Sequence, residues 1–405
     1  MIQRRKLDLT VLLPTVGLVL IGLIAIYSAT SVGEESNLQV KFTRQLIWAS
    51  VGFMAMLFVS RISLKFIFQG TYWFYIISIA LLVATLFIGS GSGASRWIVV
   101  GPISFQASEL VKVTCLLTLA RYLSSDNRNL SNIVELLIAF AIAFTPFVLV
   151  MKQPDLGSAL VFLAMLLPML HWAGLSTITL FVLVAPLFSL LCAFNYYSFF
   201  FAMATVCVVL YYTRKGVLFF LTNFLINISV GIITPIIWDL LKDYQKDRIL
   251  TFLGVVQDPH GLGYQVIQSK VAIGSGGLWG KGFLQGTQTH LRFLPEQHTD
   301  FIFCVVGEEF GFVGAALTLI LLFLVVSRGL TIAVLAKSRY AQLVAFGAAS
   351  IFTFQIFVNI GMTIGLMPVT GLPLPFLSYG GSSLLSNLII IGILLNLSLR
   401  RFEYL

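Results

Sequence analysis

The chain is a succession of long apolar runs separated by short polar joints. A helix needs about 20 predominantly apolar residues to cross the hydrocarbon of a bilayer. About twelve stretches come near that length: residues 9–27, 45–60, 72–88, 109–123, 133–150, 156–172, 176–194, 197–212, 217–238, 301–326, 340–366 and 382–399. The runs are continuous instead of alternating, which excludes a membrane β-barrel. The pattern predicts an all-α polytopic membrane protein, a bundle of about twelve transmembrane helices. The least distinct joints are at Asn195 and Arg214-Lys215, which divide three apolar runs between 176 and 238. One long polar stretch, residues 239–300, is predicted as a large loop within a single membrane domain spanning 1–405.

Composition narrows this reading. Charged residues are 10% of the chain, against about 25% in an ordinary soluble domain, so a large soluble core is excluded. The net charge of +9 is spread in small basic groups between apolar runs. Such groups are topology signals and headgroup contacts; no nucleic-acid partner is expected. Cys115, Cys192, Cys207 and Cys304 lie in or beside apolar segments, without metal-ligand spacing or a disulfide framework. Residues 1–8 are basic, but the following run is long enough to remain a helix, so no cleavable signal peptide is read.

Charge bias orients the bundle. With the N-terminus in the cytoplasm, the inner side receives Arg4-Arg5-Lys6, Arg61, Lys65, Arg121, Arg128, Arg214-Lys215, Arg328, Lys337, Arg339 and Arg400-Arg401. An even number of spans then brings both basic termini inside, as the positive-inside rule requires. The remaining charges fall at the outer ends of spans: Arg96 in "GASRWIVVGPISFQASELVK", Glu109 and Lys112 at the start of the fourth span, Lys152 and Asp155 in "MKQPDLGSA", and Asp300, Glu308 and Glu309 around the start of the tenth. A charge inside a bilayer costs about 3 kcal/mol or more, so such groups face a polar cavity or a partner. Four separate regions thus point to a polar site at the outer leaflet.

Each group also has a structural reading. Glu109 and Lys112 are one helical turn apart and able to pair with each other. Lys152 is placed as a headgroup anchor. Glu308 and Glu309 suit solvated charges at a helix start, Asp300 suits an N-cap, and His298 an ordinary loop residue. His171 falls on the inner side and indicates no chemistry.

The long loop contains "VAIGSGGLWGKGFLQGTQTHLRF". It fails the P-loop pattern, because Ser275 stands where Gly is needed and Gly282 where Ser or Thr is needed; Trp279 breaks the dinucleotide fingerprint. Its glycines are read either as a backbone cradle that brings Lys270 or Lys281 to a pyrophosphate, or as flexible turns. Ahead of it, "DLLKDYQKDRILTFL" has the spacing of a helix lying on the membrane surface. "GLMPVTGLPLPFLSYGGSS" is rich in Pro and Gly and predicts irregular backbone lining a cavity.

The strings "SRWIVVGPISFQASELVK", "KQPDLGSA", "QVIQSKVAIGSGGLWGKGFLQGTQTHLRFLPEQHTDFIFCVVGEEFG" and "NIGMTIGLMPVTGLPLPFLSYGGSS" resemble the SEDS family (shape, elongation, division and sporulation) from the first span to the last. Within it, "GTQTHLRFLPEQHTDFIF" is similar to the elongation branch. The resemblance implies a peptidoglycan glycosyltransferase that polymerises lipid II and its lipid-linked glycan. The implied partners are a class B penicillin-binding protein transpeptidase and other membrane proteins of the elongation machinery. Asp300 becomes the catalytic carboxylate, with Glu109 and Lys112 as further catalytic candidates. Arg96, Asp155, Lys270, Lys281, Glu296, His298, Glu309 and Ser378 become substrate-binding candidates. A divalent cation near the pyrophosphate is compatible with this chemistry, and no motif demands one. Two departures stand out. Ala107 replaces a usual Pro, and about twelve spans replace the usual ten, which implies a helix pair inserted around 195–238. Two other classes remain open: a lipid II flippase, although the charges gather at one end and not at mid-membrane, and a non-catalytic scaffold, which leaves the charge cluster unexplained.

Overall fold

The computed structural model describes residues 7–31, 36–89, 96–100, 103–125, 130, 132–213, 216–241, 243–252, 262–291, 294 and 296–403. Arg4-Arg5-Lys6, Arg128 and Arg214-Lys215, used above for orientation, lie outside the described residues. The elements are α1 (Leu9–Ser31), α2 (Ser36–Arg61), α3 (Leu64–Ile88), β1 (Trp97–Val100), β2 (Ile103–Gln106), α4 (Ala107–Leu123), α5 (Ile133–Lys152), α6 (Leu156–Trp172), α7 (Thr177–Cys192), α8 (Tyr196–Thr213), α9 (Val217–Leu240), α10 (Asp243–Phe252), α11 (Leu262–Ser275), α12 (Thr287–His290), α13 (Ile302–Leu335), α14 (Arg339–Thr363) and α15 (Gly381–Leu399). Among the described residues, nine helices are long and apolar enough to cross a membrane, and α6 and α7 are shorter apolar helices. The chain is an integral membrane protein.

Two compact units are present, one from Met1–Ala173 with Gln257–Leu405, the other Gly174–Val256. In the smaller unit, α7, α8 and α9 pack on one another, and α10 forms where the mixed apolar and charged pattern predicted a helix. Ser189 donates to Asn227 Oδ1 (2.8 Å), which satisfies two polar groups buried between apolar helices.

In the larger unit, α2 lies along α15, α1 and α14 along α13, α3 along α4, and α6 along α5 and α14. α4 is buried along nearly its whole length, and α14 and α15 are the most enclosed of the long apolar helices. These three form the centre, while α2 and α3 leave much of their surface for lipid. One end is closed by Asp8, which accepts from Arg328 Nε (3.0 Å) and Nη2 (2.8 Å) and from Ser398 Oγ (2.7 Å). Burial works against the Asp8 charge, but hydrogen bonds from Arg328, Thr10 and Ser398 outweigh it and hold the carboxyl below its usual range. Arg400 bonds Arg61 O at the same end (3.3 Å), so several residues assigned to one membrane side do cluster.

The hairpin β1–β2, with Trp97 opposite Gln106, was not foreseen, since four-residue strands are too short to show an alternating pattern. Residues 364–380 are irregular, as predicted, yet Leu372, Leu374, Phe376 and Leu377 are buried. Irregular backbone survives at such depth only if protein groups satisfy it. Gln45 on α2 does so from one side, accepting from Gly380 N (3.1 Å) and donating to Ser378 O (3.3 Å). Asn359 on α14 donates to Leu372 O (2.7 Å) from another.

Candidate active site

Residues 370–382 are the hub on which the separated motifs converge. Asn359 also donates to Asp300 O (3.0 Å), which ties the residue ahead of α13 to this segment. Gly371 lies against the half-buried Asp300 carboxylate; a Cβ there would stand 3.4 Å from Oδ2. Gly157, in the first turn of α6, approaches from another direction, with room for no side chain: its Cβ would meet Thr370 O at 2.8 Å. Tyr379 N donates to His298 O (2.9 Å).

The start of α4 joins the same hub. Gln106 precedes that helix, and its backbone N–H goes to Ser382 Oγ (3.0 Å), while its side chain donates to Asp155 Oδ2 (3.1 Å). Asp155 caps α6 through Ser158 N (3.1 Å). Arg96 donates to Gln153 O (2.9 Å) and to Pro154 O, clamping the turn before α6. Ser386 donates to Glu109 Oε2 (2.8 Å), and Lys112 Nζ stands 2.7 Å from the same oxygen. This ion pair is almost wholly enclosed, Glu109 being 2% and Lys112 1% exposed. α4, α6, α13 and α15 therefore begin near one another, and the positive ends of their dipoles favour an anion.

Several expectations need correction. Asp300 does not cap α13: the residue before the helix is Phe301, without a side-chain cap, and the Asp300 N–H instead closes a turn on Glu296 O (3.2 Å). Glu308 and Glu309 are not solvated but buried, at 0% and 1% exposure. Glu308 accepts from Lys281 Nζ (2.8 Å), Thr287 Oγ1 (3.1 Å), Gln288 N (2.8 Å), Thr289 N (3.1 Å) and Thr289 Oγ1 (2.8 Å); Glu309 is bonded by Ser28.

The glycine-rich loop is neither an open cradle nor a set of flexible turns. α13 is broken at Gly311, with φ 63° and ψ −158°, and a break in a membrane helix strands backbone groups. The loop repairs it. Lys281 N and Gly282 N donate to Glu308 O and Glu309 O (both 3.0 Å), and Phe312 N and Val313 N donate to Gly277 O (2.9 Å) and Leu278 O (3.1 Å). Lys281 thus belongs to the Glu308 cluster, which lies about 9 Å along α13 from its start at Ile302 at 1.5 Å per residue. Lys270 is exposed beside Gly365, whose Cβ would fall 2.5 Å from Nζ. The Ser378 hydroxyl accepts from Leu374 N (2.8 Å) and holds a turn. Among the described residues, no three of His, Cys, Asp and Glu group as metal ligands.

The family model described as "Cell cycle protein", for FtsW, RodA and SpoVE, matches residues 9–202 and 195–402. The chain belongs to this family. It is 36% identical over 394 residues to the peptidoglycan glycosyltransferase MrdB of Escherichia coli (strain K12), covering 96% of this chain and 94% of that protein. The peptidoglycan glycosyltransferase RodA of Treponema pallidum (strain Nichols) is 35% identical, with 97% and 98% covered. Among solved structures, one of a peptidoglycan synthase complex that coordinates polymerization and crosslinking matches with a TM-score of 0.74 at 29% identity, covering 98% and 99% of the two chains. The crystal structure of Thermus thermophilus RodA matches with a TM-score of 0.66 at 26% identity, with 98% of each covered.

α2 contributes two further groups, neither of which lies in the strings that carry the resemblance to the FtsW/RodA/SpoVE family. Lys41 Nζ lies 3.1 Å from His298 Nε2, and Arg44, one turn on, hydrogen-bonds Tyr379. Burial first, then the Lys41 charge, push His298 down to about 4 against a smaller opposing effect of Glu296. Both cations precede residue 45, where the apolar run begins. Their spacing of three on a helix was the available signal.

Proposed function

We propose that this chain is a peptidoglycan glycosyltransferase that polymerises lipid II into β-1,4 glycan at the outer face of the cytoplasmic membrane, for cell elongation. Both termini lie in the cytoplasm in this reading. The MrdB and RodA relatives and the stretch "GTQTHLRFLPEQHTDFIF" favour elongation over division or sporulation.

Asp300 acts as general base. It removes the proton from the acceptor sugar hydroxyl as that oxygen attacks the anomeric carbon of a lipid-linked donor; undecaprenyl pyrophosphate leaves. A hydroxyl is a poor nucleophile until a positioned base takes its proton. An α-linked donor then yields a β-linked product in one displacement. The observation that carries this assignment is the placement of the Asp300 carboxylate against Gly371, where α6, α13 and residues 370–382 meet. Asp155, Glu109 and Glu308 are engaged in a cap, a buried ion pair and a five-bond cluster. The convergent helix starts add a field that suits a departing pyrophosphate.

The expected partner is a class B transpeptidase with one membrane helix, a reading supported by the similarity to a synthase complex. The test is purified protein with that partner in liposomes carrying labelled lipid II. Glycan ladders built from lipid II on the outer leaflet are expected. Movement of lipid II between leaflets without polymer would replace this reading with that of a flippase.

A further inference from the structure

The cations expected to meet the leaving pyrophosphate are largely neutralised or bonded elsewhere. Lys112 is paired with Glu109 at 2.7 Å and Lys281 with Glu308 at 2.8 Å, while Arg96 holds two carbonyls. Lys41 is different. The residue is half-buried, and its ammonium is turned onto His298 Nε2 at 3.1 Å. An ammonium has only donors, so that nitrogen accepts and carries no proton, which leaves the ring proton on Nδ1. Protonating Nε2 would set two positive groups face to face.

A neutral acceptor orients an ammonium without cancelling its charge, whereas a carboxylate does both. Glu296, the acidic group beside the ring, stands 3.9 Å from Nε2 but is 67% exposed and therefore screened. Among the described residues, no ion pair joins a carboxylate to Lys41. Nor is Lys41 arranged as a headgroup anchor: a snorkelling lysine keeps its ammonium in water, and this one points at an imidazole. His298 is itself fixed. Its carbonyl accepts from Tyr379 N (2.9 Å), and its ring rests on the Tyr379 ring at 5.5 Å. Arg44 bonds the Tyr379 hydroxyl, so two cations from α2 face the turn that ends at Asp300.

We propose that Lys41, positioned by His298, binds a phosphate oxygen of the lipid-linked pyrophosphate beside Asp300. The proposal rests on the glycosyltransferase reading, since that reading supplies the pyrophosphate. Lys41 would touch substrate; His298 is a positioning residue acting through it.

The experiment measures binding of undecaprenyl pyrophosphate to the full chain with its transpeptidase partner, in nanodiscs of zwitterionic lipid. Lys41→Met and His298→Leu should each weaken binding by about tenfold, the effect of one charge-assisted hydrogen bond. Lys41→Arg should stay within about threefold of wild type by the same arithmetic. The double variant should be no weaker than Lys41→Met alone, because the two residues act as one unit. Asp300→Asn should bind at least as tightly as wild type, because it removes a negative charge beside the anion, so a failed base assignment leaves this result standing. Wild-type affinity in Lys41→Met overturns the proposal, as does a double variant showing the product of both losses. If Lys41→Met loses affinity for added phosphatidylglycerol but not for undecaprenyl pyrophosphate, Lys41 is a lipid-headgroup contact and the proposal fails. Absence of binding by the wild type removes both this proposal and the donor reading. Should Lys41→Met not fold, Lys41→Gln replaces it, with the same loss expected and the same wild-type result contradicting it.

Discussion

Gly280 and Gly311 meet so closely that a Cβ on Gly311 would stand 2.3 Å from Gly280 N. That contact lets a soluble-looking loop mend the break in α13. It explains a glycine-rich motif without recourse to nucleotide binding. Gly280 itself has φ +82°, and its Cβ would sit 2.1 Å from Glu309 O.

Gly280→Ala should therefore cost about 2 kcal/mol or more, through backbone strain and overpacking together. Gly274→Ala is the control: it lies in α11 and its Cβ would meet nothing within 4 Å. There the change should be neutral or stabilising by up to about 1 kcal/mol, because alanine favours a helix. Thermal unfolding in detergent separates the two, and equal midpoints would contradict the loop's role in mending α13.

Glu109 and Lys112 form an ion pair with almost no solvent access. Breaking it by Glu109→Gln should cost about 3–5 kcal/mol, since an ammonium is left buried without its counter-charge. Adding Lys112→Met should recover most of that loss. A double-mutant cycle reads the coupling, and additive effects would show that the pair is not a unit.

His298 supplies a pH test. Its ordinary value is near 6.5, and burial with the Lys41 charge lowers it to about 4 in the folded chain. Between those values the unfolded chain takes up a proton that the folded chain refuses. The contribution is fully present above about 6.5 and declines as pH falls through about 4. His298→Gln should remove this slope, measured as unfolding midpoints from pH 4 to 7. The same slope in both proteins would mean that His298 is not held neutral by the fold.

Much of the architecture is legible in the sequence where both helix ends carry local signals. α6 falls at 156–172 as predicted because Asp155 caps its start, and Gly174, with φ +108°, follows its end. α2 and α3 begin earlier than expected, at Ser36 and Leu64. The polar residues of "SNLQVKFTR" and the mixed stretch after Ser63 interrupt the apolar run without interrupting the helix. α13 continues to Leu335, past Arg328, because arginine ends an apolar run but favours a helix; its charge is paired with Asp8. Of the candidate site, the motifs around Asp300 and Asp155 were visible as charges at span ends. The Lys41–His298 contact joins residues 257 positions apart. It depends on where two side chains point, which no local pattern encodes.

The most direct test of the account is lipid II polymerisation by the purified protein with its transpeptidase partner, wild type against Asp300→Asn. The substitution keeps size and hydrogen bonding but removes basicity. The account predicts that glycan product falls by at least about a hundredfold, the scale of general-base catalysis, while folding and partner binding persist. Normal polymerisation by Asp300→Asn would contradict it and move the search for the base to Glu109 or Glu309.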